Sequence, residues 1–487
     1  MNFASIKEKL YASAYAKELI SGSFWSIVGS AISRGLIFIA WIIVGNILGS
    51  GEFGAFGLIR DTIIMFTSFA GLGLGITASK FVAEYMGNDK GKATRIIALT
   101  MQFGVIVGLL LGSLVFIFSS YIAAGVINRP DLTTEFRIAS IILFFCSLNG
   151  AQIGVLQGLQ RFKDIASVNL WQSLLSFPFF YLGARYAGVR GAVCAFAFYN
   201  IIVCLLSHMK LSKALKEKSI KLNFKEAWNE KAILFSYSLP AFLSGVMVTP
   251  VKWLADVILF NGANGAHEMG KFTAVYTFNL IFISVVSMMD APFLVVMSKN
   301  RTGTGSTELN RLNVVLPWCI GVLVIMPFVF FPEVIMPLFD STFLDSSFKL
   351  DFILVLVFTL IIMYKQGLAR ILAVNNMQWL GVASNLIWGV SLIVFFYFMR
   401  SLGATGLCLG YIIAYTINTL VLLPVYQYKG LIPAKTVFSW YALLVWSIVL
   451  VSIVVGLYAS GYTVRVLIFL VLYPLAIYLF YRYMFRK

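Results

Sequence analysis

The chain has 487 residues, of which 60% are hydrophobic and 12% charged, with 37 Lys and Arg against 20 Asp and Glu for a formal charge of +17. Apolar residues at that density along the whole length exclude a soluble globular domain and leave an all-α, polytopic membrane protein. A membrane-spanning helix needs roughly 20 apolar residues. In chain order the candidates are Ser23–Leu48, Phe56–Thr77, Arg95–Phe118, Phe136–Gly158, Ile165–Tyr186, Gly191–His208, Leu234–Phe260, Phe272–Ser298, Leu312–Phe331, Phe352–Leu372, Trp379–Met399, Thr405–Tyr426, Val437–Tyr458 and Val464–Phe485, about fourteen transmembrane helices by this length criterion.

The connecting segments set the orientation, because cytoplasmic loops retain Lys and Arg and translocated loops are depleted of them. Lys7, Lys9 and Lys17, Lys80 to Arg95, Arg161 with Lys163, Lys210 to Lys231, Lys299 to Arg311, Lys429 with Lys435, and Arg482 to Lys487 all fall on one side. The other side keeps Arg129, Arg185, Arg190, Lys271, Lys349, Arg400 and Arg465. Both termini are therefore expected in the cytoplasm, and the positive charge reads as topology, with no nucleic acid among the partners. The apolar run after Gly22 is a full span with no small-residue cleavage site, so a start-transfer anchor is expected in place of a cleaved signal. The five cysteines lie in spans at no metal-like spacing, and His208 and His267 are single, so no metal site and no catalytic residue is expected.

Polar stretches interrupt the chain at Met1–Ile20, Lys210–Lys231 and Thr302–Ser306. The second alternates Lys with apolar residues and Trp228, as a short amphipathic helix on an anionic leaflet would. It separates six helices from eight: an N-lobe 1–209, a linker 210–231, a C-lobe 232–428 and two further helices in 429–487. An internal repeat supports the division. Glu52-Phe53-Gly54-Ala55-Phe56 recurs about 216 residues later as Glu268-Met269-Gly270-Lys271-Phe272, and Gly188-Val189-Arg190-Gly191 recurs as Gly403-Ala404-Thr405-Gly406. Six is even, so the two copies share an orientation and are related by a pseudo-two-fold axis along the membrane normal around a central cavity, an arrangement suited to alternating access. Pro178, Pro240, Pro250, Pro292, Pro317, Pro327 and Pro424 lie in or near spans, where each can kink a helix or serve packing. Pro240 and Pro250 flank the candidate gate.

Ionisable residues inside spans are costly and mark a polar pathway by default. Arg34 is near the middle of the first helix, and the repeat register puts its counterpart within about two residues of Lys252. The two read as cavity cations; the alternative is a buried ion pair with Asp61 or Asp256. Arg60 and Asp61 are adjacent and point about 100° apart on a helix, so one is expected to line the cavity while the other pairs elsewhere. Lys252 and Asp256 share a helix face and form either a structural pair or a place where a proton or sodium ion competes for the carboxylate. Asp290 is a lone carboxylate. Lys365 and Arg370 sit toward the cytoplasmic end of the tenth helix, where Arg370 can snorkel. Asn149, Gln152, Gln157 and Gln160 form a polar stripe, and Glu333, Asp340, Asp345 and Asp351 read as a solvated acidic loop.

The first loop Gly49-Ser50-Gly51-Glu52-Phe53-Gly54-Ala55-Phe56-Gly57, then Gly71-Leu72-Gly73-Leu74, Leu156-Gln157-Gly158-Leu159-Gln160-Arg161-Phe162-Lys163 and Gly188-Val189-Arg190-Gly191-Ala192 resemble the polysaccharide-transporter branch of the multidrug/oligosaccharidyl-lipid/polysaccharide exporter superfamily. That resemblance implies a flippase moving undecaprenyl-diphosphate-linked O-antigen or capsule repeat units to the outer leaflet of a bacterial inner membrane. A polysaccharide polymerase and a chain-length regulator would be its partners alongside membrane lipids. It also implies cavity cations that hold diphosphate and acidic sugar, with Arg34 matching the family's first-helix arginine. Arg60, Lys252, Lys365 and Arg370 are matched to that role by helix and depth. Asp61, Asp256 and Asp290 are the candidates for proton or sodium coupling, and no other cofactor is expected. Fourteen helices keep lipid II flipping as an alternative. A multidrug or metabolite exporter would favour carboxylates in its cavity, the reverse of the balance here. A membrane enzyme would need a larger outer loop or an intramembrane His.

Overall fold

The computed structural model describes residues 14–71, 73–233, 246–290, 293, 297, 306–375, 377–432, 439–459 and 461–485. Pro240, Pro292, most of the Thr302–Ser306 run and most of the N-terminal polar stretch lie outside them. The helices of eight residues or more among these are α1 (Ala14–Gly71), α2 (Leu74–Tyr85), α3 (Lys90–Ile117), α4 (Thr133–Gly158), α5 (Phe162–Glu217), α6 (Val248–Phe260), α7 (Gly265–Ser287), α8 (Ser306–Phe330), α9 (Phe348–Val374), α10 (Gln378–Met399), α11 (Gly403–Tyr428), α12 (Trp440–Tyr458) and α13 (Tyr462–Phe485). Among the described residues, ten stretches are long and apolar enough to cross a membrane. Three of these are broken near the middle, at Gly49 in α1, at Ala187 and Gly188 in α5, and at the turn 400–402 between α10 and α11, which makes thirteen crossings. α6, of 13 residues, is not among these spans.

The helical hairpins turn on glycines because the chain reverses there through backbone conformations that L side chains rarely adopt. Gly49 has φ 72° and ψ 170°, and Gly188 has φ 55° and ψ −138°. One expected span is corrected. Instead of continuing through Phe56–Thr77, the second crossing ends at Gly71, and Gly73 in the left-handed region (φ 69°) starts α2 as a separate helix.

The fold divides into two compact units, residues 1–44 with 59–246, and residues 45–58 with 247–487. In the first unit α3 packs on α4 and α4 on α5. Gly104, Gly108 and Gly112 form a small-residue stripe on α3 that lets the backbone of α4 approach at Ser147, Phe144 and Ser140. Ala78, Val82, Ile96, Val155, Leu156 and Leu211 fill its core.

The segment after α5 differs from expectation. It is not an amphipathic helix: α5 ends at Glu217, and the chain then folds back as an extended strap with one short turn, Ala227–Glu230. Ile220 and Leu222 pack on the core, Ala227 is buried, Gln102 donates to the carbonyl of Phe224 at 3.1 Å, and Arg95 pairs with Glu230 at 2.8 Å. Burying those apolar side chains and pairing the polar ones outweighs the local helical pattern.

In the second unit α12 and α13 pack on α8 through Trp318, which meets Trp446 at 5.5 Å and Phe480 at 5.1 Å between ring centroids. The segment 45–58 packs on α7 at Gly54, Gly57 and Gly270, where the absence of side chains brings two helix backbones together. Pro250 lies in the first turn of α6, where no helical hydrogen bond is lost. Pro178, Pro317, Pro327 and Pro424 lie inside helices that continue through them.

Candidate functional site

In the first unit Arg34 is exposed on α1 and makes no ion pair with any described residue. Arg60 and Asp61 behave otherwise than expected. Their Cβ atoms diverge, but the long arginine stem curls back, so that Nε reaches Asp61 Oδ1 at 3.0 Å with both side chains 8% exposed. The guanidinium lies over the Trp41 ring at 5.0 Å, a cation–π contact between the two arms of α1.

The second unit holds the other five candidate positions, Lys252, Asp256, Asp290, Lys365 and Arg370. Lys252 Nζ lies 2.7 Å from Asp256 Oδ2, the contact its i,i+4 spacing predicts, and Asp256 is fully buried. The same ammonium sits 4.9 Å from the centroid of Tyr276 and 6.0 Å from that of Phe272. Arg370 does not snorkel. It is 3% exposed and bonds Asp290 Oδ1 at 2.7 Å and Asn313 Oδ1 at 2.6 Å, with Phe293 5.2 Å away. A salt bridge and an amide oxygen inside the helix packing hold it more firmly than water at the membrane edge would.

Lys365 is different. Its Nζ donates to Asn418 Oδ1 and lies 5.9 Å from the Tyr415 centroid, and it has no carboxylate partner among the described residues. Asn418 is held in turn by the Ser384 carbonyl at 2.6 Å. Tyrosines connect Lys365 with Lys252: Tyr276 and Tyr411 are 6.3 Å apart, as are Tyr411 and Tyr415, and Phe358 stacks on Tyr411 at 4.9 Å. The result is a row of rings from α7 to α11 with a lysine at each end. Sequence reasoning missed it, although Tyr411 and Tyr415 at i,i+4 carried part of the signal.

A further polar cluster was read in the sequence as a solvated loop, and the structure corrects this for Asp351. Asp351 is fully buried, accepts a hydrogen bond from Thr405 and lies 3.9 Å from Lys271. Lys271, 1% exposed, reaches Glu268 at 2.9 Å and Asp345 at 2.6 Å, and Glu268 caps α11 by accepting from the Ala404 amide at 2.7 Å. His267 bonds Ser50 Oγ at 2.7 Å and lies 3.4 Å from Asp345. His267, Glu268 and Asp345 offer donors within 4.8 Å of one another, but the Lys271 ammonium fills the place a metal ion would take. Asp345 lies outside the spans. Partial burial would raise its pKa, but the hydrogen bond and charge of Lys271, with Ser347 and His267, more than offset this and hold it down at about 2.

Of the polar stripe near α4, Gln152 lines a cavity of about 450 Å³ in the first unit, and Gln160 turns the chain at φ 60°.

The family described as "Polysaccharide biosynthesis protein" matches residues 19–295. The chain is 18% identical over 294 residues to the EPS I polysaccharide export inner membrane protein EpsE of Ralstonia solanacearum, covering 60% of this chain and 66% of that one, just under two thirds of the relative's length. Among solved structures it is similar to a multidrug resistance MATE family transporter of the MOP superfamily in an inward-facing conformation, with TM-score 0.69, 16% identity, and 83% of this chain and 98% of that one covered. It is also similar to the lipid II flippase MurJ in an inward closed conformation, with TM-score 0.68, 16% identity, and 94% and 99% covered. These structures share the fold.

Proposed function

We propose that this chain, which belongs to the family of polysaccharide biosynthesis proteins and has the fold seen in MATE and MurJ, is an inner-membrane flippase for polyprenyl-diphosphate-linked oligosaccharide repeat units. The observation that carries this reading is the row Lys252, Tyr276, Tyr411, Tyr415, Lys365. Such a cargo combines a diphosphate with a glycan whose ring faces are apolar and whose edges are polar. A lysine with no counter-carboxylate gains most when an anion arrives, because a buried ammonium is costly until it is paired. Tyrosine rings supply apolar platforms with polar rims for sugars. Arg34 of the first unit, in no ion pair with a described residue, is a separate anion-binding candidate in this proposal.

Arg60, Lys252 and Arg370 each already hold a carboxylate. In this reading their pairs open during the cycle, with Asp256 or Asp290 taking up a proton or sodium ion when its partner turns to the cargo. The cargo enters from the cytoplasmic leaflet, the side of both termini by lysine distribution, and is released to a polymerase and its chain-length regulator on the other.

The test is a deletion strain complemented with wild type, Lys365→Gln or Arg34→Gln at matched expression. Surface polysaccharide should return with wild type alone, and the lipid-linked unit should accumulate in both variants. Unchanged surface polysaccharide in the deletion strain would overturn the repeat-unit cargo. Accumulated peptidoglycan precursor in its place would assign lipid II.

A further inference from the structure

We propose that the first unit binds an anionic phospholipid of the cytoplasmic leaflet in the cavity that the strap after α5 closes over α3, α4 and α5. At about 450 Å³ it falls within the roughly 300–1,000 Å³ of small-molecule sites. Its wall is apolar, from Val105 and Ile106 on α3, Leu148 on α4, and Leu211 and Leu215 on α5, with Phe224 and Trp228 contributed by the strap.

Three observations identify the occupant. Ile106 of the cavity wall begins an exposed apolar ridge with Leu109 and Leu110 on a membrane-spanning helix, a surface that can face only lipid or protein, so an acyl chain can enter sideways. Two glutamines line the cavity, Gln102 and Gln152, each with a side-chain amide oxygen to satisfy. Both oxygens are buried and accept no hydrogen bond. A ligand that brings hydroxyl donors would relieve the cost of leaving such acceptors unsatisfied.

The third observation is charge. Between 210 and 231 the chain has seven lysines and three glutamates. Lys210 is paired with Asp164, but Lys218, Lys221 and Lys225 are exposed and in no ion pair with a described residue. Lys221 and Lys225 adjoin the lining residues Leu222 and Phe224, and exposed His208 lines the cavity itself. Lysines at this level attract anionic lipid, and exposed Trp228 suits the interface. An anionic head bearing hydroxyl groups above an acyl chain satisfies all three requirements, and phosphatidylglycerol is such a lipid. The strap thus forms a lipid-gripping wall of the first unit.

The experiment uses the full chain, purified in detergent, with added phosphatidylglycerol or phosphatidylcholine of identical acyl chains, read by native mass spectrometry and by thermal unfolding. Wild type should retain and be stabilised by phosphatidylglycerol alone. The exposed double variant Lys221→Gln/Lys225→Gln should bind it about thirtyfold more weakly. Leu148→Trp, which fills the cavity, should lose it while eluting as a monodisperse protein. Equal retention of both lipids, or undiminished phosphatidylglycerol binding in a monodisperse Leu148→Trp protein, overturns the site. Should Leu148→Trp fail to fold, the surface double variant decides alone.

Discussion

Gly54 and Gly270, 216 residues apart, pack reciprocally: a Cβ on Gly54 would collide with the carbonyl oxygen of Ala266, and a Cβ on Gly270 with that of Ser50, which is itself 216 residues before Ala266. Two copies of one helix segment cross at the same pair of positions, as a two-fold axis requires. The repeat persists in the backbone elsewhere. Gly188 and Gly403 share nearly the same conformation, φ 55° and ψ −138° against φ 58° and ψ −133°. Each begins a crossing whose third residue on, Gly191 or Gly406, lies against a backbone carbonyl of the preceding helix or its end. Glu135 bonded to Arg190 at 2.9 Å in the first unit corresponds in register to Asp351 bonded to Thr405 in the second. The position of the carboxylate is kept, and its partner is exchanged.

Gly54→Ala and Gly270→Ala should each destabilise the protein by about 1–3 kcal/mol, because the atoms they meet are backbone and cannot swing away. Gly51, with nothing within 4 Å of an added Cβ, is the control, and Gly51→Ala should be neutral or gain up to about 1 kcal/mol of helix propensity. Thermal unfolding followed by size exclusion compares the three. Equal stability of the Gly54 and Gly51 variants would contradict the close crossing.

Gly188→Ala and Gly403→Ala force an L residue into a region open mainly to glycine, at a cost of about 1–3 kcal/mol each. The Gly403 variant should be the worse of the two, since its new Cβ also meets the Glu268 carboxylate that caps the Ala404 amide. The same unfolding measurement ranks them, and the opposite order would show that the cap is not held as described.

Lys271→Met removes the ammonium held against Glu268, Asp345 and Asp351. With Asp351 left buried, a loss of about 3–5 kcal/mol is expected. Lys349→Met, which breaks a partly exposed pair with Glu333 at 2.8 Å, should cost no more than about 1 kcal/mol. Chemical denaturation of the purified variants separates a buried cluster from surface pairing.

Asp345 gives a pH signature. Its folded pKa of about 2 lies below the ordinary value of 3.8, so its contribution to stability is present above the ordinary value and is lost as pH falls toward the folded one. The stability difference between wild type and Asp345→Asn should therefore be constant above about pH 5 and shrink between about pH 4 and 2. A difference that stays constant down to about pH 2 would show that Lys271 does not hold the carboxylate ionised.

Composition and hydropathy determined the class of this protein and the approximate places of its spans, because a bilayer imposes length and apolarity on every span independently of its neighbours, and the glycine motifs carried the resemblance to its family. Local spacing likewise predicted the Lys252–Asp256 pair, since i,i+4 contacts need only the helix itself. Tertiary structure decided the rest. Arg370 meets Asp290 across 80 residues and Lys271 meets Asp345 across 74, while Lys365 is left without a carboxylate among the described residues and beside a tyrosine. The strap's pattern promised a helix on the membrane surface, but packing over α3 closed a cavity instead. Which charge neutralises which depends on how helices distant in sequence come together, and one helix's periodicity carries no record of that.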